Sequence, residues 1–235
     1  MIKVKNLSKT FPRQKVLDKV DFVAADGRRV LILGKSGSGK SVFLKCVLGL
    51  MVPDTGYVEI DGTDVSALMA KPRLKRRLTR VRQNIGYVFQ GSALLDSLTV
   101  EENIDLAVEY KRLKKTVRNN IIDEKLHLVG LSSDVRRKYP QQLSGGMKKM
   151  VAIARAIAAD PKYIFYDEPT TGLDPAMVVR ITKLITELSE RLEITSIIVT
   201  HDMGLARRAG QDIYFLKNYT LSRTKKSTRL EELYE

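Results

Sequence analysis

The amino-acid sequence predicts an α/β fold built on a mostly parallel sheet, and two observations lead to this prediction. Short apolar runs with the length of buried strands alternate with longer segments of helical periodicity, as in sheets covered by helices. This alternation stops over residues 91–143, where helical patterns follow one another without a strand. We therefore expect one domain over residues 1–235, with a core lobe at about 1–90 and 144–235 and an inserted helical subdomain at about 91–143.

The first part of the chain is rich in strand patterns. Ile2–Asn6 and Val16–Ala24 alternate apolar and polar residues, which predicts an antiparallel pair of half-exposed strands. Arg28–Leu33 ends in a continuous apolar run and is predicted to be a buried strand. Gly56–Ile60 is a further predicted strand, because an Asp-Gly turn follows it.

Later elements are marked by apolar runs and by residue types that begin or end helices. Buried strands are predicted at Ile85–Phe89, Tyr163–Tyr166 and Thr195–Thr200, and a closing hairpin at Asp212–Leu216 and Tyr219–Arg223, before a short tail from Lys225. Helices are predicted at Val42–Leu48, Thr99–Tyr110, Thr116–Val129, Met147–Ala159 and Ala176–Leu192.

A glycine-rich loop follows the strand Arg28–Leu33 and opens a helix. It fits the Walker A pattern G-x-x-x-x-G-K-[ST], in which backbone N–H groups close around phosphates. Lys40 is expected to reach the β- and γ-phosphates, and the Ser41 hydroxyl to ligate Mg²⁺. The helix N-terminus adds unpaired N–H groups and a positive dipole end. These features predict a P-loop NTPase core that binds ATP through Gly34, Lys35, Ser36, Gly37, Ser38, Gly39, Lys40, Ser41 and Val42.

Acidic and polar residues stand where other buried strands end, which is where α/β sheets bind ligands. Asp167 and Glu168 follow an apolar strand in the Walker B arrangement. Asp167 is expected to hold Mg²⁺ and Glu168 to act as the base for an attacking water. Gln90 follows another strand and is expected to ligate Mg²⁺ and sense the γ-phosphate. His201 follows the predicted strand Thr195–Thr200 and could hydrogen-bond the γ-phosphate.

The chain carries a high positive charge. It has 41 Lys and Arg residues against 27 Asp and Glu, a formal net charge of +14. In the basic cluster Lys71–Arg82, Leu74, Leu78 and Val81 recur at helical spacing, which predicts an amphipathic helix with a solvated basic face. A second basic cluster is Lys111–Arg118. No aromatic residues are interleaved for base stacking, so we expect proximity to an anionic membrane surface rather than specific nucleic-acid binding.

The sequence has no apolar run long enough to cross a bilayer and no signal peptide. We therefore expect a cytosolic protein whose membrane role comes through a partner. The single cysteine, Cys46, is expected to be a buried thiol on the apolar face of the helix after the loop. His127 is expected to lie exposed on a helix without a special role.

Through these motifs, the whole chain resembles the nucleotide-binding subunits of ABC transporters. The highly specific signature of that family stands just upstream of the Walker B strand, at Leu143, Ser144, Gly145, Gly146 and Met147. Ser144, at a helix N-terminus flanked by glycines, is physically a second anion site. The resemblance implies that this site is delivered to the ATP of a second copy of the chain, in a head-to-tail homodimer.

The resemblance also implies roles for residues outside the three motifs. Phe11 would stack on adenine as the A-loop residue, Gln90 would form the Q-loop and His201 the switch. The D-loop would consist of Thr171, Gly172, Leu173 and Asp174. The sequence departs from the family at Phe11, where Tyr is commoner, at Tyr166, and at Lys148-Lys149-Met150 after the signature. No departure removes a catalytic group, so a competent ATPase is expected.

The segment Phe89–Asn103 is similar to the Mla-type phospholipid transporters, which work with MCE proteins. This similarity implies a phospholipid cargo. The family resemblance implies an integral-membrane permease that docks at Gln90–Asn103, with Leu94, Leu95 and Leu98 as the apolar contacts. The alternative is that these three leucines pack under their own lobe. An MCE-type protein would join through the permease, and the chain would lie on the inner face of the cell membrane. Two alternatives remain: the same ATPase coupled to lipoprotein release or solute import, and a soluble ABC protein acting on ribosomes or DNA.

Overall fold

The computed structural model describes residues 1–224, which fall into two compact units. Unit 1 comprises Met1–Gln83 and the described residues from Thr195 onward, and unit 2 comprises Asn84–Ile194. The predicted tail from Lys225 lies outside the described residues. The prediction of a single domain with the lobe boundaries given above stays a prediction.

Ten strands and eight α-helices are assigned within residues 1–224. The strands are β1 (Ile2–Phe11), β2 (Gln14–Ala24), β3 (Arg29–Leu33), β4 (Thr55–Ile60), β5 (Thr63–Asp64), β6 (Ile85–Val88), β7 (Tyr163–Asp167), β8 (Thr195–Thr200), β9 (Asp212–Lys217) and β10 (Thr220–Thr224). The helices are α1 (Lys40–Val47), α2 (Val65–Met69), α3 (Lys75–Gln83), α4 (Val100–Asp105), α5 (Lys115–Leu128), α6 (Gly145–Ile157), α7 (Pro175–Arg191) and α8 (Met203–Ala209).

An antiparallel sheet in unit 1 has the strand order β2-β1-β4-β5. It confirms the predicted N-terminal strand pair, in which Ile2 lies opposite Ala24. Along β2, Val20, Phe22 and Ala24 are buried and alternate with exposed residues, as expected for a strand with one face in the core. The Phe22 ring lies 5.2 Å from the ring of Phe43 on α1. This aromatic contact packs α1, the helix that follows the glycine-rich loop, against the sheet.

The second sheet of strands in unit 1 follows the order β10-β9-β3-β8, and within it β9, β3 and β8 are parallel. Leu33 at the end of β3 lies opposite Thr200 of β8 and Phe215 of β9, both in parallel register. Every residue of β3 is buried. Because these strands end at one edge, the loop after β3 and the residue after β8 emerge on the same side of the sheet. The predicted closing hairpin is confirmed, since β9 and β10 are antiparallel.

Unit 2 combines two parallel strands with four helices. β6 pairs with β7, and Val88 lies opposite Tyr166. A Cβ atom on Gly86 would stand 2.3 Å from the carbonyl oxygen of Ala156, so only glycine lets α6 approach β6 this closely. Within the described residues 91–143 there is no strand, as predicted.

One predicted helix is shorter in the structure. The pattern Thr99–Tyr110 predicts a single helix, and this prediction is wrong, because α4 ends at Asp105. The N–H groups of Ala107 and Val108 bond three residues back instead of four, which tightens the chain into turns. Apolar residues that continue past the end of α4 produced the longer pattern.

Two features predicted from side-chain patterns are confirmed in unit 1. The basic cluster contains α3, whose Leu78 is buried while its basic side chains are exposed or half-buried. Cys46 on α1 is fully buried, and this burial raises the pKa of its thiol to about 11.

His127 lies on the exposed side of α5, as expected. Among residues 1–224, no helix has both the length and the apolar character needed to span a bilayer.

Candidate functional site

The glycine-rich loop of unit 1 runs from the end of β3 to the start of α1, as predicted. A Cβ atom on Gly34 would lie 2.6 Å from the Ser38 Oγ atom and 2.9 Å from the carbonyl oxygen of Leu216. Gly39 has φ +105°, and a Cβ atom there would lie 2.7 Å from Val16. Both positions therefore need glycine, one for space and the other also for its backbone conformation.

Lys40 closes this loop on itself. Its ammonium donates hydrogen bonds to the carbonyl oxygens of Gly34 at 2.8 Å and Lys35 at 3.0 Å, and the side chain is only 5% exposed. The Ser38 hydroxyl is buried with no hydrogen-bond partner. Gly39 provides no side-chain cap for the N-terminus of α1. The ammonium of Lys40, the unpaired hydroxyl of Ser38 and the uncapped N-terminus of α1 are together suited to bind the phosphate groups of a nucleotide.

Two further predicted site residues belong to unit 1. Phe11 is the last residue of β1 rather than a loop residue, since the β1–β2 hairpin is longer than its alternating pattern indicated. Its ring is 38% exposed, and the Lys9 ammonium lies 5.6 Å from the ring centroid. His201 is exposed and follows β8 directly. Their roles in adenine stacking and γ-phosphate contact stay predictions.

The Walker B residues of unit 2 stand at the end of β7, whose residues are all buried. Asp167 and Glu168 are each 7% exposed. The Tyr87 hydroxyl on β6 donates a hydrogen bond of 3.1 Å to Asp167, and burial together with this carboxylate raises the pKa of Tyr87 above its usual value. Glu168 has φ +50°, an unfavourable conformation for a residue with a side chain, and such strain often marks functional positions.

Gln90 lies exposed after β6, at the start of a segment without regular secondary structure. Behind it, the ammonium of Lys149 on α6 donates hydrogen bonds to the carbonyl oxygens of Phe89, at 3.4 Å, and Gln90. Lys149 is 4% exposed, and this burial lowers its pKa, while the charges of Asp167 and Glu168 act in the opposite direction. Sequence reasoning noted Lys149 only as a departure from the family pattern; the available signal was a lysine on the apolar face of an amphipathic helix.

The signature residues surround the start of α6. Ser144 caps the helix, and its hydroxyl accepts a hydrogen bond of 3.2 Å from the N–H group of Met147. Ser144 and Gly145 are exposed, whereas Leu143 and Gly146 are buried. A Cβ atom on Gly146 would stand 2.2 Å from the Met177 side chain, so this glycine lets α7 approach. The turn thus presents one hydroxyl and a helix N-terminus to its surroundings.

The predicted D-loop connects β7 to α7 in unit 2. Gly172 has φ +78°, and Asp174 caps α7 by accepting a hydrogen bond of 3.0 Å from Met177 N–H. Pro175 occupies the first helical position. These contacts account for Asp174 structurally, and the D-loop role of Gly172, Leu173 and Asp174 stays a prediction.

The segment between β6 and α4 is organised by Asn103, a residue that sequence reasoning named only as a boundary. Its buried amide donates to the carbonyl oxygens of Leu95, Leu98 and Thr99 at 3.0–3.1 Å and accepts from the N–H group of Leu95 at 2.8 Å. Leu95 is 49% exposed, and Leu94 and Leu98 are half-buried. The segment therefore presents apolar side chains on a fixed backbone.

The predicted Mg²⁺ ligands are divided, with Ser41 in unit 1 and Gln90 and Asp167 in unit 2. Within residues 1–224 no three His, Cys, Asp or Glu side chains cluster as a metal cage. A nucleotide-bound Mg²⁺ needs no such cage, because phosphate oxygens and water supply most of its ligands. A hydroxyl, an amide and one carboxylate fit that donor set.

The fold and these residues define a class: an α/β nucleotide-binding protein with a phosphate loop at a helix N-terminus and a carboxylate pair at the end of a buried strand. A family profile described as ABC transporter matches residues 17–171. The chain belongs to this family, hydrolyses ATP and uses Mg²⁺.

Individual relatives agree with this assignment. The arginine transport ATP-binding protein ArtM of Bacillus subtilis is 42% identical over 92% of this chain and 87% of its own length. The methionine import ATP-binding protein MetN 3 of Pseudomonas fluorescens is 40% identical over 88% of this chain, which spans 62% of that relative. A dimeric post-hydrolysis structure of the ATP-binding cassette MJ0796 with ADP and Pi has a TM-score of 0.87 at 34% identity, covering 97% of this chain and all of that one.

Proposed function

We propose that this chain is the ATP-hydrolysing subunit of a membrane transporter and acts as a homodimer with two shared ATP sites. The observation that carries the proposal is the exposed turn at Ser144, where a helix start offers N–H groups and a hydroxyl to an anion. The loop before α1 supplies one side of the proposed phosphate site. A second copy gives the Ser144 turn a ligand, and the dimeric structures of the relative MJ0796 support this arrangement.

In each shared site, the proposed chemistry is hydrolysis of the γ-phosphate. Lys40 neutralises charge on the β- and γ-phosphates, and Glu168 accepts a proton from the attacking water. Gln90 and His201 contact the γ-phosphate, and Ser144 of the second copy completes the cradle. Phe11 stacks on the adenine ring.

Ser41, Gln90 and Asp167 are the residues that would hold Mg²⁺. When bound, the ion neutralises phosphate oxygens as negative charge moves toward the leaving group. Tyr87 supports this role, since its hydroxyl orients the carboxylate of Asp167 through a hydrogen bond.

Mixing two inactive variants tests the shared site. Lys40→Ala damages the phosphate loop, and Ser144→Arg damages the signature half. In a heterodimer of the two, one site keeps both intact halves, so an equal mixture should recover roughly a quarter of wild-type ATPase activity per chain. Differently tagged chains, purified through both tags, verify that heterodimers form. Heterodimers no more active than the separate variants would contradict shared sites.

The proposed partner is an integral-membrane permease that docks at Gln90–Asn103, placing this chain on the inner face of the cell membrane. The exposed Leu95 and the backbone organised by Asn103 support such a surface. The relatives ArtM and MetN 3 are named for transport and import, which supports a transporter rather than a protein of ribosomes or DNA.

Two cargoes are compatible with this subunit. The similarity of Phe89–Asn103 to Mla-type transporters supports a phospholipid, moved with an MCE-type protein that joins through the permease. The names of ArtM and MetN 3, whose likeness extends over most of this chain, support import of an amino acid or another small solute.

The cargo is tested with the complex that the full tagged chain captures from its own cells. Reconstituted in liposomes, this complex should show ATP-dependent transfer of fluorescent phospholipid if the first cargo is right. ATP-dependent uptake of radiolabelled arginine or methionine, without lipid transfer, would establish solute import instead. A Glu168→Gln complex is the control for transport that does not depend on hydrolysis.

A further inference from the structure

Lys149 is a buried lysine on α6 whose hydrogen bonds go to main-chain atoms. Its ammonium binds the carbonyl oxygens of Phe89 and Gln90, which lie about sixty residues earlier in the chain. Within the part of the chain that the structure describes, Lys149 forms no ion pair at hydrogen-bonding distance. Burying an ammonium in this way is costly, and a methionine of similar length would fill the space without that cost. A charge kept here therefore needs a reason beyond packing.

The segment that Lys149 holds has no regular hydrogen-bonding pattern of its own. A second α6 cation, Arg155, donates to the carbonyl oxygens of Ala93 at 2.7 Å and Ser92 at 2.8 Å. Ser92 and Ala93 have φ values of +65° and +46°, which disfavour residues with a side chain. The two cations thus hold a segment in a conformation that its own sequence does not favour.

The position of Lys149 also matters electrostatically. The carboxylates of Asp167 and Glu168 are buried in the same unit and attract its charge. A cation near two buried carboxylates offsets part of their mutual repulsion and their loss of hydration. At the same time it fixes the backbone that carries Gln90.

We propose that Lys149 is a positioning residue for ATP hydrolysis, which holds the peptide of Gln90 in place and supports the paired carboxylates of Asp167 and Glu168. The inference rests on the proposed function, because it takes Gln90 and Glu168 as the γ-phosphate contact and the base. Lys149 itself touches neither ATP nor water in this scheme. Its effect should therefore fall on turnover rather than on nucleotide binding.

The test compares Lys149→Met with Lys149→Arg in the full-length chain. Met keeps the length and removes the charge, whereas Arg keeps the charge and the hydrogen-bond donors. We expect Lys149→Met to lower kcat by about tenfold or more, with KM for ATP within about twofold of wild type. Lys149→Arg should recover most of that loss. Lys183→Met is the matched control, since this lysine lies 75% exposed on α7, and it should leave both constants unchanged.

Folding is followed separately by thermal unfolding with and without ATP. If Lys149→Met is insoluble, Lys149→Gln replaces it, because the amide keeps a donor and removes the charge. A kcat within twofold of wild type, a loss that appears only in KM, or a failure of Arg to rescue a folded Met variant would each overturn the proposal.

The outcomes also separate this inference from the proposed function. If Glu168→Gln hydrolyses ATP at the wild-type rate, the assignment of the base is wrong and the inference falls with it. If Glu168→Gln is inactive but Lys149→Met turns over normally, only the inference about Lys149 is wrong.

Discussion

Glu168 leaves a fully buried strand in a left-handed backbone conformation, with its carboxylate largely hidden from solvent. As the proposed base, it should be needed for proton transfer but not for binding. Glu168→Gln is expected to lower ATP turnover on the order of 10²–10⁴-fold while ATP binding is kept. Steady-state ATPase assays and equilibrium binding of labelled ATP measure the two effects, and size-exclusion chromatography should show an ATP-bound dimer.

Glu193→Gln is a matched control for this substitution. Glu193 also has a left-handed backbone, with φ +52°, but it is exposed at the end of unit 2. It should turn over ATP as the wild type does. Activity of Glu168→Gln equal to that of this control would show that another group removes the proton.

At the same scale, individual residues differ in how far the sequence could predict them. The pattern from Gly34 to Ser41 is local, so its glycines and Lys40 could be assigned to a phosphate loop before the structure was known. Lys149 could not, because its hydrogen bonds join residues some sixty positions apart. Nothing in the residues around it specifies that contact.

Among the elements, the segment between β6 and α4 carries the proposed contact with the permease. Leu95→Arg and Leu98→Arg should each give a folded protein that binds ATP but no longer co-purifies with the permease. The reason is that Leu95 is half exposed, so a charge there harms a docked apolar surface more than the fold. Pull-down from cells that contain the permease, together with thermal unfolding, measures both properties.

Leu50→Arg is the control for this surface, since Leu50 lies in unit 1 and is 57% exposed. It should keep the permease bound. Loss of solubility together with loss of binding in Leu95→Arg would mean that this leucine packs within its own unit, and the docking assignment would be abandoned.

The basic helix α3 gives a second prediction at the scale of elements. Its exposed charges should bind duplex DNA or RNA weakly, without sequence preference and with steep salt dependence, because only phosphates are contacted. Fluorescence anisotropy at several salt concentrations measures this. Tight, sequence-dependent binding at physiological salt would favour the soluble ribosome or DNA alternative over a membrane transporter.

Elements were predictable where one pattern runs through the whole element. β3, β7 and β8 each contain a short apolar run, and the sequence predicts them almost to their ends. The short helices α2 and α8 were missed, because five and seven residues are too few to show a helical period, although Asp64 and Asp202 cap them. The end of α4 could not be predicted, because the apolar pattern continues past Asp105.

At the scale of the molecule, the proposed function depends on more than one chain. Ser144 is exposed at the start of a helix in unit 2, and the loop around Lys40 lies in unit 1. The proposed homodimer would give each of these two turns a phosphate group to bind. In the proposed complex the permease is a separate chain that would select the cargo, so this sequence predicts the family and the ATPase chemistry but not the transported molecule.

The two cations of α6 have a consequence for how the dimer would respond to its permease. Arg155 and Lys149 hold residues 89–93 against α6, the helix that Ser144 caps. A displacement of the segment proposed to contact the permease would therefore be transmitted through α6 to the signature turn. In the proposed dimer, that turn faces the nucleotide of the opposite subunit. A permease contact on one subunit would then affect the ATP bound by the phosphate loop of the other subunit before it affects the ATP bound by its own loop.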